Sequence, residues 1–148
     1  IEPEPRLHNT IYDHQNVILF IPRVHPWSDR KAVHISELDG KRMVARHSSS
    51  MTRHIFEQRL NDQNIKPKIV LELDSWESLK EAVAAGIGFG IALEDEFCED
   101  ERLIKLSIDG ADLRATQYFV CLPEYLNLRS VSAFLEIATR FNPATLGN

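Results

Sequence analysis

The sequence predicts an α/β fold with a mostly parallel sheet, and three observations point there. Short apolar runs (16–24, 43–46, 68–73 and 88–93) are separated by segments whose apolar residues recur every three or four positions. Val17-Ile18-Leu19-Phe20-Ile21 is continuously apolar, as in a strand buried on both faces. Serine, aspartate, glycine and proline stand at the junctions, where strands give way to helices and helices to turns.

Taken in order, Ile1-Glu2-Pro3-Glu4-Pro5 is a proline-spaced acidic start that reads as the ragged beginning of a fragment. The first strand, 16–24, breaks at Pro22 and Pro26. Ser36-Glu37-Leu38 makes a turn or one-turn helix closed by Asp39-Gly40, and a strand follows at 43–46. Ser48-Ser49-Ser50 opens a helix to about Asn64 with Thr52, Ile55, Phe56 and Leu60 inward. Pro67 resets the chain for the β-branched strand 68–73. Asp74-Ser75 is an N-cap pair, with Glu77 placed to complete a capping box with Asp74. Trp76, Leu79, Ala82 and Val83 form the buried stripe of a helix ending at Gly86, before the strand 88–93. Beyond the acidic stretch 94–101 come strands at 103–106 and 117–122, joined by an Asp109-Gly110 turn. The last helix, 129–141, carries Val131, Phe134, Leu135 and Ala138 on one face and stops at Pro143.

The 148 residues are 43% apolar and 26% charged, an ordinary globular composition with a net charge of −5. That charge offers no electrostatic footprint for DNA or an anionic membrane. No apolar run approaches the roughly 20 residues that span a bilayer. Cys98 and Cys121 make no disulfide scaffold and suit a reducing, cytoplasmic setting.

Catalytic and metal signatures are not present in the pattern. The six histidines form no H-E-x-x-H, the cysteines no C-x-x-C, and there is no G-x-S-x-G elbow. The expectation is no enzyme, no catalytic residue, no metal and no cofactor. Gly86-Ile87-Gly88-Phe89-Gly90 follows a helix and precedes a strand, the reverse of the dinucleotide-binding order. It reads as a helix C-cap and a tight turn.

Two places carry binding chemistry. The start of the helix after Ser48 presents unpaired N–H groups and the positive end of the helix dipole. Ser49, Ser50 and Thr52 add hydroxyls, Met51 lies among them, and Arg46 or Arg53 adds charge. This is either an anion site or a single serine cap with loop around it. The second place is Glu72 and Asp74-Ser75, at the next junction of strand and helix. Asp74 is either a helix cap or, if it faces the serine loop, an acceptor for an ammonium group. The pair would suit a small zwitterion.

Four stretches belong together: Val17–Ile21 followed by Pro22-Arg23-Val24-His25-Pro26-Trp27; Ile35-Ser36-Glu37-Leu38; Ser49-Ser50-Met51-Thr52-Arg53-His54-Ile55-Phe56-Glu57; and the run from Leu79 to Ile91 through Ala84-Ala85-Gly86. Together they resemble the effector-binding (substrate-binding) domain of LysR-type transcriptional regulators. Their order extends over about 130 residues of the chain. Where the family loop usually reads Pro-Gly-Ser, this chain has Ser48-Ser49-Ser50. The Ser-Met-Thr-Arg loop, the acidic loop after Gly90 and Cys121-Leu122-Pro123-Glu124 look like members associated with aminoethylphosphonate catabolism.

The resemblance implies a type II periplasmic-binding-protein-like fold, with one complete Rossmann-like subdomain plus part of a second. Residues 1–22 would belong to the first subdomain, 23–114 would build the second, and 115–148 would return to the first. It implies a small effector in the cleft between subdomains, held here by Ser49, Ser50, Met51, Thr52, Arg53, Asp74 and Ser75. It also implies self-association as a dimer or tetramer, DNA contact only through a domain absent from this chain, and no membrane partner. The first subdomain would lack its early elements, leaving an uncovered apolar surface around Phe20, Phe119, Phe134 and Leu135. Two other readings stand beside this one. A transporter's solute-binding protein of the same fold would carry a secretory signal in its gene. An α/β enzyme for a phosphorylated substrate would need a base near the serine loop, and the sequence offers none.

Overall fold

The computed structural model describes residues 4–141. The acidic start at Ile1-Glu2-Pro3 and the helix stop at Pro143 lie outside them. The elements in chain order are β1 (His8–Pro22), β2 (Ala32–His34), β3 (Arg42–Arg46), α1 (Met51–Asp62), β4 (Lys68–Leu73), α2 (Trp76–Ala84), β5 (Gly90–Leu93), β6 (Leu103–Asp109), β7 (Arg114–Cys121) and α3 (Arg129–Arg140), with one-turn 3-10 helices at Ile35–Leu38, Glu94–Glu96 and Pro123–Tyr125.

The chain divides into two compact units. One is Asn16–Ala115; the other is built from the chain up to Gln15 and from Thr116 on. The division therefore falls within β1 at Gln15 and Asn16, ahead of the Pro22 boundary the sequence suggested. The physical reason is burial: Val17 through Ile21 pack wholly inside the larger unit.

In that unit the strands lie in the order β2-β6-β1-β5, and β3 pairs β4. A bridge from Met43 to Phe89, just ahead of β5, links β3 to the rest. β3 and β4 are parallel, as are β2 and β6, whereas β1 runs antiparallel to both β5 and β6. The sheet is thus mixed rather than mostly parallel, because the strand entering this unit runs against its neighbours.

Alternation along β1 sets the layers. Val17, Leu19 and Ile21 join Phe56 and Leu60 of α1 in one core cluster. Ile18 and Phe20 join Leu79, Ala82 and Val83 of α2 in another. The two helices therefore cover opposite faces, giving three layers around a doubly buried sheet. Phe20, expected at an uncovered surface, is fully buried. Its ring lies 5.4 Å from Trp76 and 5.5 Å from Phe97, centroid to centroid.

The glycine cluster is structural. Gly86 takes φ 77° after α2. A Cβ on Gly88 would lie 2.6 Å from the Arg42 carbonyl oxygen, and one on Gly90 would meet the Phe20 ring. Gly88 and Gly90 thus let β3 and the β1 core approach this turn.

In the smaller unit β1 pairs β7. Phe119 bridges Tyr12, 4.6 Å away, and Phe134 of α3, 5.1 Å away. Here the expected exposure is found in part: Phe134 is 53% exposed, whereas Phe119 and Leu135 are half-buried; Ile137 and Phe141 are exposed more than Phe134. No helix among the described residues is long and apolar enough to cross a membrane.

Candidate ligand-binding site

Parallel pairing of β3 with β4 brings the two candidate places to one sheet edge. Arg46 is in register with Leu73, and the His47 N–H donates to the Leu73 carbonyl at 3.1 Å. The serine loop and the Asp74-Ser75 junction therefore leave adjacent strands side by side, each opening a helix. This is the carboxyl edge, where ligands of open α/β sheets bind.

Each predicted residue has a definite place there. Ser50 is the N-cap of α1, its hydroxyl accepting from the Arg53 N–H at 3.4 Å. Ser49 turns back to His47, whose Nδ1 accepts its N–H at 3.3 Å and lies 3.0 Å from its hydroxyl. The Ser48 N–H adds a small favourable influence on the charged Glu72 carboxylate. Met51 is 53% exposed. Thr52 is half-buried rather than inward; Ile55, also half-buried, packs against the core, and the fully buried residues of α1 are Arg53, Phe56 and Leu60. As N1 and N2 of the helix, Met51 and Thr52 have backbone N–H groups with no partner among the described residues.

Arg53 is an anchor. Its buried guanidinium donates to Glu57 at 2.7 Å, to Glu72 at 2.7 Å and to the Arg46 carbonyl at 2.6 Å. Burial opposes its charge, but its hydrogen bonds to the Glu72 and Glu57 carboxylates outweigh that and raise its pKa. In return, Arg53 holds the Glu72 carboxyl below its ordinary range. The i,i+4 spacing of Arg53 and Glu57 was visible in the sequence; the contact with Glu72 needs the strand pairing. Arg46 closes the edge, its Nε buried without a hydrogen-bond partner.

At the second junction Ser75, not Asp74, is the N-cap. Its hydroxyl accepts from the Ser78 N–H at 3.1 Å and donates to the Ser78 hydroxyl at 2.8 Å. The expected Asp74–Glu77 capping box is replaced because Ser75 has the extended backbone an N-cap requires (φ −100°, ψ 149°). The Asp74 side chain is exposed and takes no part in the cap. The edge thus offers two backbone donors, a hydroxyl and Arg46 beside a carboxylate not used for folding. Among the described residues no three histidine, cysteine or acidic side chains gather as a metal-binding group.

Comparison with known proteins follows this geometry. The family model described as the LysR substrate binding domain matches residues 2–142. The HTH-type transcriptional regulator CysL of Bacillus subtilis is 26% identical over 117 residues, covering 77% of this chain but 39% of that protein. The chain accordingly spans well under half the length of such relatives. Among solved structures, the Synechocystis PCC6803 CcmR regulatory domain in complex with 2-PG has a TM-score of 0.85 at 20% identity, covering 96% of this chain and 71% of that one. The effector binding domain of QuiR in complex with shikimate has a TM-score of 0.81 at 17% identity, covering 96% and 68%. At these identities the likeness is one of fold.

Proposed function

The chain belongs to the LysR substrate-binding-domain family, and we propose that its serine-loop edge senses a small anionic or zwitterionic metabolite, with 2-aminoethylphosphonate as the specific candidate. The observation that carries this reading is the division of labour at the edge. Donors collect at the start of α1, while Asp74 stands on the neighbouring strand end with the helix cap already supplied by Ser75. A phosphonate accepts from the Met51 and Thr52 N–H groups and the Thr52 hydroxyl, with Arg46 adding charge; an ammonium group sits by Asp74. Ser49, Ser50 and Arg53 shape the loop through His47, the helix cap and Glu72.

No bond is made or broken in this scheme. A ligand shifts a regulator only by binding one conformation better than another, and that difference in affinity is the signal. Transcription is then controlled by the full-length protein, which self-associates and reaches DNA through residues outside this acidic chain. The names of regulators such as CysL favour this over a transporter's solute-binding protein.

Calorimetry on the chain tests the site. Binding of 2-aminoethylphosphonate should weaken at least tenfold with Thr52→Val or Asp74→Ala, while ethanolamine and inorganic phosphate alone bind more weakly than the zwitterion. Unchanged affinity in both variants overturns the assignment. A phosphate that binds as tightly as the zwitterion removes Asp74 from it.

A further inference from the structure

The opposite edge of the same sheet holds a cavity with a different character. Its volume is about 280 Å³, and it lies between the connector after β1, the turn before β3 and the turn before β5. His25 and Trp27 come from the first, Lys41 and Arg42 from the second, and Ile87 and Phe89 from the third. Because β3 runs from Arg42 to Arg46, this cavity and the serine loop sit at opposite ends of a five-residue strand, on the order of 15 Å apart.

Three observations point to a ligand. The first is charge. No carboxylate lines the cavity, and neither Lys41 nor Arg42 has an acidic partner among the described residues, in a chain whose net charge is −5. Lys66 and Lys68 stand alongside, since the Gly40 N–H donates to the Lys66 carbonyl and the Lys68 N–H to that of Lys41. Asp39, nearby, accepts the Lys66 N–H, and Arg30 is held by Glu37 in a paired bond of 2.8 and 2.7 Å.

The second is an aromatic wall. The His25 ring meets Trp27 edge-on with centroids 5.0 Å apart, and the Lys41 ammonium lies 5.9 Å from the Trp27 ring centroid. The His25 pKa is lowered by burial and then by Lys41, both of which disfavour a charged ring. The third is fixed geometry. Gly88 cannot carry a Cβ against the Arg42 carbonyl, so the floor is built by close backbone approach.

From these we propose that this cavity is a second binding site, for a small organic anion with an acidic head and a planar or apolar body. The head meets Lys41 and Arg42, and the body lies against Trp27, Ile87 and Phe89. Carboxylate and phosphoryl heads share this chemistry, and a cavity of this size suits a single-ring compound.

The test is a two-dimensional 1H–15N NMR titration of the chain with benzoate, phenyl phosphate, inorganic phosphate and benzyl alcohol. The aromatic anions should move the Trp27 indole and the Gly86–Phe89 amides saturably, at least tenfold more tightly than phosphate alone or the neutral alcohol. Benzoate against phenyl phosphate decides which head is preferred. Lys41 and Arg42 are exposed, so Lys41→Met with Arg42→Met preserves the fold and should abolish the shifts. The proposal is overturned if the wild-type resonances do not respond, or if the double variant binds unchanged. Shifts confined to residues 48–53 and 74–75 assign binding to the serine-loop edge instead and equally overturn it. None of these three outcomes removes the reading of that first site.

Discussion

Because the Arg53 guanidinium donates to two carboxylates and a carbonyl, three of its hydrogen bonds hold α1 against the ends of β3 and β4. Glu57 and Glu72 are partly solvated, at 38% and 43% side-chain exposure, which discounts the ion pairs. The buried Arg53 side still loses its hydrogen bonds on truncation, so Arg53→Met should cost about 2 kcal/mol in urea unfolding. The pH dependence follows from Glu72. Its carboxyl is held below the ordinary 4.5, so its contribution is complete above that value and is lost as pH falls through the lowered pKa. Glu72→Gln should flatten this acid limb. His25 has the opposite charge logic. Lys41→Met removes a repelling cation, so an NMR titration of the His25 ring should show its pKa rising toward 6.5. None of these couplings except Arg53–Glu57 was legible in sequence. They join residues that only strand pairing or a folded turn brings together, whereas an i,i+4 pair is written into helix geometry.

At the scale of elements, the start of α2 separates a structural serine from the aspartate proposed to meet the ligand. Ser75 caps the helix, so Ser75→Ala should lower stability by about 1 kcal/mol. Asp74→Ala should leave the thermal transition unchanged and affect only ligand binding; comparing the two melts checks the division. Local pattern was enough for β4, which spans the predicted residues, and for α2, whose Leu79, Ala82 and Val83 are buried as predicted; in α1 it found Phe56 and Leu60 but not the buried Arg53. It was not enough for β2, whose three residues depend on pairing with Ser107, Ile108 and Asp109. Nor did it mark the start of β1 at His8, where His8, Asn9, Asp13, His14 and Gln15 hide a strand that β7 stabilises. Sheet direction was illegible for the same reason: periodicity reports which face is buried, not which way the neighbouring strand runs. The edge carrying the candidate site was nonetheless readable, because it depends only on two strand-to-helix junctions sharing one parallel pair.

For the molecule as a whole, the two units differ in how completely they bury their apolar residues. The larger closes two core clusters on either side of its sheet, with Phe20 and Phe56 fully inaccessible. In the smaller, α3 has no fully buried residue, and Phe134, Ile137 and Phe141 are exposed at 53%, 57% and 72%; Val120 and Leu122 of the β7 end add to the apolar surface. Solvent contact on that scale is unfavourable at roughly 25 cal/mol per Å² and marks a surface prone to association. The chain should therefore bind a hydrophobic dye such as ANS in its native state and show an apparent mass that rises with concentration in light scattering. Ile137→Lys with Phe141→Lys should reduce both. These side chains are largely solvated already, so the thermal transition should stay within a degree or two of wild type on the order of surface substitutions. Dye binding untouched by the two lysines would mean that the accessible apolar surface lies elsewhere, and a large loss of thermal stability would mean that α3 is covered in solution by the chain itself.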